Sequence, residues 1–215
     1  MERREFLLGL AALGILGSNS AGAKIRGEFP EEGVHIDYRV LFGGNEIGKQ
    51  TISFNHHATP GFIEVKYQIN LEVRMLFAVA YRFEHSSTEI WDQNRKLHAI
   101  DSTSNENGKT TEVKGKLKDD VFHVKGEDGH TKGPGNLITS DSFWLAAALD
   151  SHHVMNTRTG DMAQPQVKKL SQDRYHLKAE FNHSKIDAKL HFKDEILYEA
   201  EIDSDGHSIR FERIS

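Results

Sequence analysis

The stretch that decides the fold is residues 62–91, FIEVKYQINLEVRMLFAVAYRFEHSSTEIW. In its first half Ile63, Val65, Tyr67, Ile69, Leu71 and Val73 alternate with Glu64, Lys66, Gln68, Asn70, Glu72 and Arg74. Successive strand side chains point to opposite faces, so this period of two is the pattern of a half-buried strand. The second half repeats it with Phe77, Val79, Tyr81 and Phe83, then carries His85, Ser87, Glu89 and Trp91 forward in the same phase. Two such runs joined by a short apolar link predict a long β-hairpin.

Alternation extends outward from this hairpin in both directions. Upstream, Val34, Ile36, Tyr38, Val40 and Phe42 predict a first strand. Gly43-Gly44-Asn45 supplies the turn residues that lead into a second, over residues 46–56. Downstream, Asn107-Gly108 is a strong short hairpin signal, joining strands over 97–104 and 109–117. Asp119-Asp120 turns the chain into a strand over 121–125, and residues 126–135 read as loop. Alternation returns at 167–170, 175–181, 185–192, 196–202 and 208–214, with polar turns at 182–184, 193–195 and 204–206. Residues 140–149 break the rhythm. Phe143-Trp144-Leu145-Ala146-Ala147-Ala148-Leu149 is rich in helix formers and apolar all round, which predicts one short buried helix started by Ser140 or Asp141. The expected fold is mainly β: an antiparallel meander sheet that curls into a half barrel or barrel-like form, with that helix as a plug against its apolar face.

The first residues read as an address. Arg3-Arg4-Glu5-Phe6-Leu7-Leu8 opens an apolar run ending at Leu16, and Ala21-Gly22-Ala23 is the small-x-small pattern of a signal peptidase site. The paired arginines and following Phe and Leu resemble a twin-arginine export signal, although Glu2 stands where Ser or Thr is usual. This organisation divides the chain into a signal peptide over 1–23 and a single β-rich domain over 24–215. It predicts a periplasmic protein, cleaved after Ala23, whose Arg3 and Arg4 engage the twin-arginine machinery. The apolar run is shorter than the roughly 18 to 20 residues a membrane span needs, so no stable anchor is expected after cleavage.

Composition narrows the chemistry. The net charge of -5, with acids and bases interspersed, argues against a nucleic-acid partner. The absence of cysteine excludes disulfides, thiolate catalysis and Cys-ligated metal. No phosphate loop, Gly-x-Ser-x-Gly elbow or His-Glu-x-x-His helix is present. Thirteen histidines include the adjacent pairs His56-His57 and His152-His153. Neighbours on a strand face opposite ways, so neither pair chelates when extended. No metal, cofactor or catalytic residue is assigned.

The track Tyr81, Phe83, His85, Glu89 and Trp91 passes from aromatic to polar and back, and Trp144 of the expected plug should lie near it. Such a face suits a small hydrophobic-ligand or lipid site whose apolar wall carries a few orienting polar groups. A bulge near Ser86-Ser87 would instead turn Glu89 into solvent.

Ile47-Gly48, the strand from Tyr81 to Glu89-Ile90-Trp91, Asn107-Gly108, Phe143-Trp144 and Thr159-Gly160 together resemble a family of exported bacterial proteins known as a domain of unknown function, of the 6134 type. The resemblance covers most of residues 34–215 and implies an exported β architecture with nothing catalytic. The chain is also distantly similar to curled-sheet periplasmic proteins that carry lipids. The resulting expectation is a non-enzymatic binder or carrier of a small hydrophobic ligand. The alternative is an accessory protein-protein interaction module of the cell envelope, and a hydrolase using Glu89 and His85 as acid and base ranks third.

Overall fold

The computed structural model describes residues 29–75, 78–182, 184–204 and 207–215. The expected signal peptide, the strand position of Phe77, and parts of the turns at 182–184 and 204–206 lie outside the described residues.

The chain runs through β1 (His35–Phe42), β2 (Asn45–His56), β3 (Phe62–Met75), β4 (Ala78–Asp92), β5 (Leu97–Glu106), β6 (Lys109–Lys118), β7 (Val121–Gly126) and β8 (Gly129–Pro134). Three two-residue strands follow: β9 (Ile138–Thr139), β10 (Val154–Met155) and β11 (Met162–Ala163). The last five are β12 (Gln166–Lys169), β13 (Arg174–Glu180), β14 (Lys185–Lys193), β15 (Ile196–Ser204) and β16 (His207–Arg213). Thirteen of them form one antiparallel sheet in the order β12-β13-β14-β15-β16-β1-β2-β3-β4-β5-β6-β7-β8. The first and last long strands pair in its middle, and β12 and β8 are its free edges, so the sheet is not closed. β9, β10 and β11 form a separate three-stranded sheet.

Hairpin turns follow the sequence signals. Asn107 and Gly108 have φ of 50° and 91°, and Asp119 and Asp120 have 49° and 62°, the doubly positive geometry that matches the right-handed twist of paired strands. Residues 126–135, expected as loop, instead contain β8, which pairs with β7 from Val121↔Pro134 to Gly126↔Gly129. Its Gly and Pro content weakened the strand signal, and both residue types are tolerated because this strand is an edge.

Residues 140–149 do not form a single helix. They form two short 3-10 helices, Ser140–Trp144 and Ala146–Asp150, separated by Leu145 in an extended conformation (φ -109°, ψ 126°). Thr139, not Ser140 or Asp141, takes the N-cap position, and its side chain makes no capping bond. Tertiary bonding explains the break. The Ala146 N–H donates to Glu195 O at 2.8 Å, and Leu145 forms an isolated bridge with Ile196.

The segment from Leu137 to Ala163 is a strap across the inner face of the sheet. Near Asp141 it bonds to β4, and at Ala146 it bonds beside β15, two strands that lie five places apart in the sheet order. One short segment can reach both only because the sheet curls around it. Farther along, Thr159 O accepts from the Glu127 N–H at 2.8 Å, and backbone meets backbone at Gly126 and Gly160. A Cβ on Gly126 would sit 2.1 Å from Thr159 O, so only glycine permits this contact. The core is continuous: Ile36, Tyr38, Ile52, Phe54, Val65 and Tyr67 from one part of the sheet, and Leu177, Ala188, Leu190 and Leu197 from the other, bury against Phe143, Trp144, Leu149, Val154 and Met155 of the strap.

Candidate functional site

The β3–β4 register sets out the site. Val65 faces Glu89, Tyr67 faces Ser87 and Ile69 faces His85, and the pairing is continuous from Val73↔Tyr81 to Phe62↔Asp92. No bulge falls at Ser86-Ser87, so the track keeps one phase and Glu89 points inward, wholly buried at 0% exposure. On the other side β5 places Ser104 opposite His85 and Ser102 opposite Ser87. The inner face of β3, β4 and β5 therefore carries two polar rows below an apolar floor.

The strap delivers Asp141 to these rows. Its Oδ2 accepts from Ser87 Oγ at 2.7 Å and lies 3.0 Å from His85 Nε2, and its Oδ1 accepts from Thr157 Oγ1 at 2.9 Å. His85 Nδ1 meets Ser104 Oγ at 2.7 Å, and Ser102 Oγ donates to Thr157 O at 2.6 Å. Burial pushes the Asp141 carboxyl up, but the adjacent His85 charge and the bonds from His85, Ser87 and Thr157 outweigh it and hold the group below the usual aspartate range. Ser104, His85 and Asp141 form a chain of bonds, yet Ser104 is buried and its backbone is paired into the β4-β5-β6 ladder. In this arrangement the chain works as a clamp that fixes the strap to the sheet.

Glu89 stands apart from that clamp. Its Oε2 accepts from Trp91 Nε1 at 2.9 Å, while Oε1 is buried with no partner in hydrogen-bond geometry. Burial, then the negative charge of Asp141, pushes its carboxyl up to about 8, and Thr139, Trp91 and Tyr67 pull it back only partway. Around it stand aromatic rings. Trp144 Nε1 donates to the Tyr67 hydroxyl at 2.8 Å, and Trp144 meets Phe54 edge-on at 4.9 Å between centroids. Burial, then Glu89 and Asp141, raises the Tyr67 phenol well above its ordinary range. Phe29, outside the sheet ladder, lies across both tryptophans, 6.1 Å from Trp91 and 6.2 Å from Trp144.

Of the residues the sequence singles out, Glu89, Trp91 and Trp144 come together in this aromatic enclosure. His85 belongs to the Asp141 clamp, with Phe83 stacked on it at 6.2 Å and 4° between ring planes. Tyr81 lies farther along the strand in a different group: its phenol is raised first by burial and then by Glu106, whose Oε2 accepts from Arg158 Nη1 at 2.8 Å. Asp141, Tyr67, Thr157 and Phe29 are the participants that sequence reading missed. Tyr67 shares the inward phase of β3 and could have been found from the pairing register. Asp141 read as a helix-start residue and gave no signal of its own.

Between hairpin and strap, Phe143 and Trp144 pack into the core with Val65, Tyr67 and Trp91, and Asp141 bonds to β4. A depression of about 360 Å³ does lie on β3 to β6, but it is polar and open to solvent. Apart from His85 its lining, including Gln68, Asn70, Glu84, Ser86 and Thr103, belongs to the outer face of the sheet. Among the described residues, no group of three His, Asp or Glu side chains is placed to hold a metal ion.

No curated protein matches the chain. Among solved structures it is similar to a β-barrel-like protein of the domain of unknown function DUF1849 from Brucella abortus, with a TM-score of 0.51 and 11% identity over 84% of this chain and 95% of that one. That likeness concerns the fold alone. A DUF1089 family protein from Pseudomonas aeruginosa gives a TM-score of 0.42 and 10% identity, over 88% of this chain and 97% of that one. The family described as "Domain of unknown function (DUF6134)" matches residues 38–214, and the chain belongs to it.

Proposed function

We propose that this protein is a non-enzymatic carrier of a small hydrophobic molecule or lipid, held between Trp91, Trp144 and Tyr67 with Glu89 as its polar anchor. The observation that carries this reading is Phe29, an apolar side chain supplied from outside the sheet and laid over both tryptophans, one of which bonds a buried carboxyl whose other oxygen, Oε1, has no partner in hydrogen-bond geometry. A packed core has no need of a buried acid, whose desolvation costs several kcal/mol unless something compensates. A ligand site does need apolar walls with a few fixed polar groups. Because the interior is filled, the ligand enters by displacing a side chain, and Phe29 is only partly buried and held by no strand pairing. Native mass spectrometry of the wild type and of Phe29→Ala, each incubated with a mixture of fatty acids, phospholipids and long-chain alcohols and amines, tests the reading. A bound species is expected in both, with higher occupancy in the variant. Empty protein in both would remove the proposal.

The place of action we propose is the periplasm, reached through the signal that Arg3 and Arg4 begin. Cleavage after Ala23 would leave Phe29 only a few residues from the mature N-terminus. Replacing Arg3 and Arg4 together with Lys should abolish periplasmic accumulation in fractionated cells, whereas undiminished periplasmic protein would exclude the twin-arginine route.

A further inference from the structure

Resting on the binding site just described, we propose that its ligand carries a positively charged nitrogen, an alkylammonium or quaternary ammonium group seated against Glu89 and walled by Trp91, Trp144 and Tyr67. Three observations converge on a cation. Glu89 is fully buried, and Oε1 has no partner in hydrogen-bond geometry. The groups acting on this carboxyl are Asp141, Thr139, Trp91 and Tyr67, none of them cationic. The walls are aromatic, and an aromatic face is the electron-rich surface against which an ammonium group is stabilised after losing its water.

Alternative head groups fit less well. A carboxylate would meet the negative charge of Asp141 and, above the raised Glu89 value, that of Glu89 as well. A hydroxyl could bond to Oε1 but would leave the charge of an ionised Glu89 uncompensated. The His85 imidazole is already bonded to Asp141, and among the described residues no Lys or Arg forms an ion pair with Glu89. The raised carboxyl agrees with a site built without its counter-charge: it holds a proton when empty and gives it up when a cation arrives.

The test is isothermal titration of the wild-type protein and of Phe29→Ala with n-octyltrimethylammonium, n-octanol and n-octanoate, at pH 6 and pH 9. The expected result is at least tenfold tighter binding of the ammonium than of the other two at pH 9. That preference should shrink at pH 6, where Glu89 is protonated, and disappear in Glu89→Gln. Asp141, His85 and Tyr67 are the other titratable groups at the site. The comparison with Glu89→Gln separates their contribution, and the wild-type pH series stands alone if that variant does not fold. Equal binding of all three probes, or preference for the octanoate, overturns the cation inference and leaves the hydrophobic site standing. No saturable binding of any probe, even in Phe29→Ala, overturns both. Co-sedimentation with phosphatidylcholine vesicles, lost in Glu89→Gln, assigns the nitrogen to a lipid headgroup. Binding of the free ion without co-sedimentation assigns it to a soluble amine.

Discussion

Replacing Glu89 with Gln should flatten the pH dependence of stability between about pH 4.5 and pH 8 and leave the variant more stable than the wild type at the alkaline end. The sign follows from linkage. The Glu89 carboxyl is raised from 4.5 to about 8 by burial and by Asp141, so across that interval the folded protein holds a proton that the unfolded chain has released. Stability therefore falls as pH rises, by about 1.4 kcal/mol per pH unit for one such proton, and the penalty stops growing above the folded value. The accumulated loss is on the order of a few kcal/mol. Asp141 works on the other side: its lowered carboxyl contributes stability that is present above the ordinary aspartate value and lost only in stronger acid. The two effects occupy separate windows. Urea unfolding at half-unit pH intervals should show a declining wild-type limb from pH 5 to pH 8 and a flatter one for Glu89→Gln. Parallel curves would mean that Glu89 is solvated and ionised throughout.

Trp144→Ala is the other large effect expected. Trp144 is buried, meets Phe54 at 4.9 Å, contacts Phe29 and donates its indole proton to Tyr67. Truncating a buried Trp to Ala costs about 3 to 5 kcal/mol through lost burial and the cavity left behind. The loss should appear as a lower urea midpoint with an unchanged slope, because the sheet itself persists. Trp144→Phe keeps most of the apolar volume and removes the bond to Tyr67, so its cost should be nearer 1 to 2 kcal/mol. A loss below about 1 kcal/mol for Trp144→Ala would show that the strap is an appendage and not the filling of the curled sheet.

The contrast between these residues shows which parts of the molecule the sequence could reveal. Strand alternation is a local property of the chain, so β3 and β4 could be placed from residues 62–91, and Asn107-Gly108 announced its own turn. Glu89 and Trp91 could be assigned to the inner face for the same reason, once no bulge intervenes. Residues 140–149 were misread as one helix because composition records propensity and not the backbone partners at Glu195 and Ile196 that pull Leu145 and Ala146 out of helical bonding. Short helices are marginal on their own, and such tertiary bonds easily outweigh them. Asp141 illustrates the harder limit. Its meeting with His85 and Ser87 spans more than fifty residues and depends on the strap crossing the sheet, which no local pattern encodes. β8 was hidden for the opposite reason: its glycines and proline speak against a strand, and only its position at an edge reconciles them.

The role of Phe29 also alters how the aromatic track is understood. Trp91 and Trp144 are the two tryptophans of the chain, and both lie against Phe29, so intrinsic tryptophan emission reports on the enclosure. This makes the central claim, that the enclosure is a ligand site covered by Phe29, directly measurable. Tryptophan emission should be followed while n-octyltrimethylammonium, n-octanol and n-octanoate are titrated separately into the wild type and into Phe29→Ala. The account predicts a saturable change in intensity and peak position with at least one probe in both proteins, at lower concentration in Phe29→Ala. Emission that stays constant in both proteins with all three probes, or drifts linearly without saturation, would contradict it.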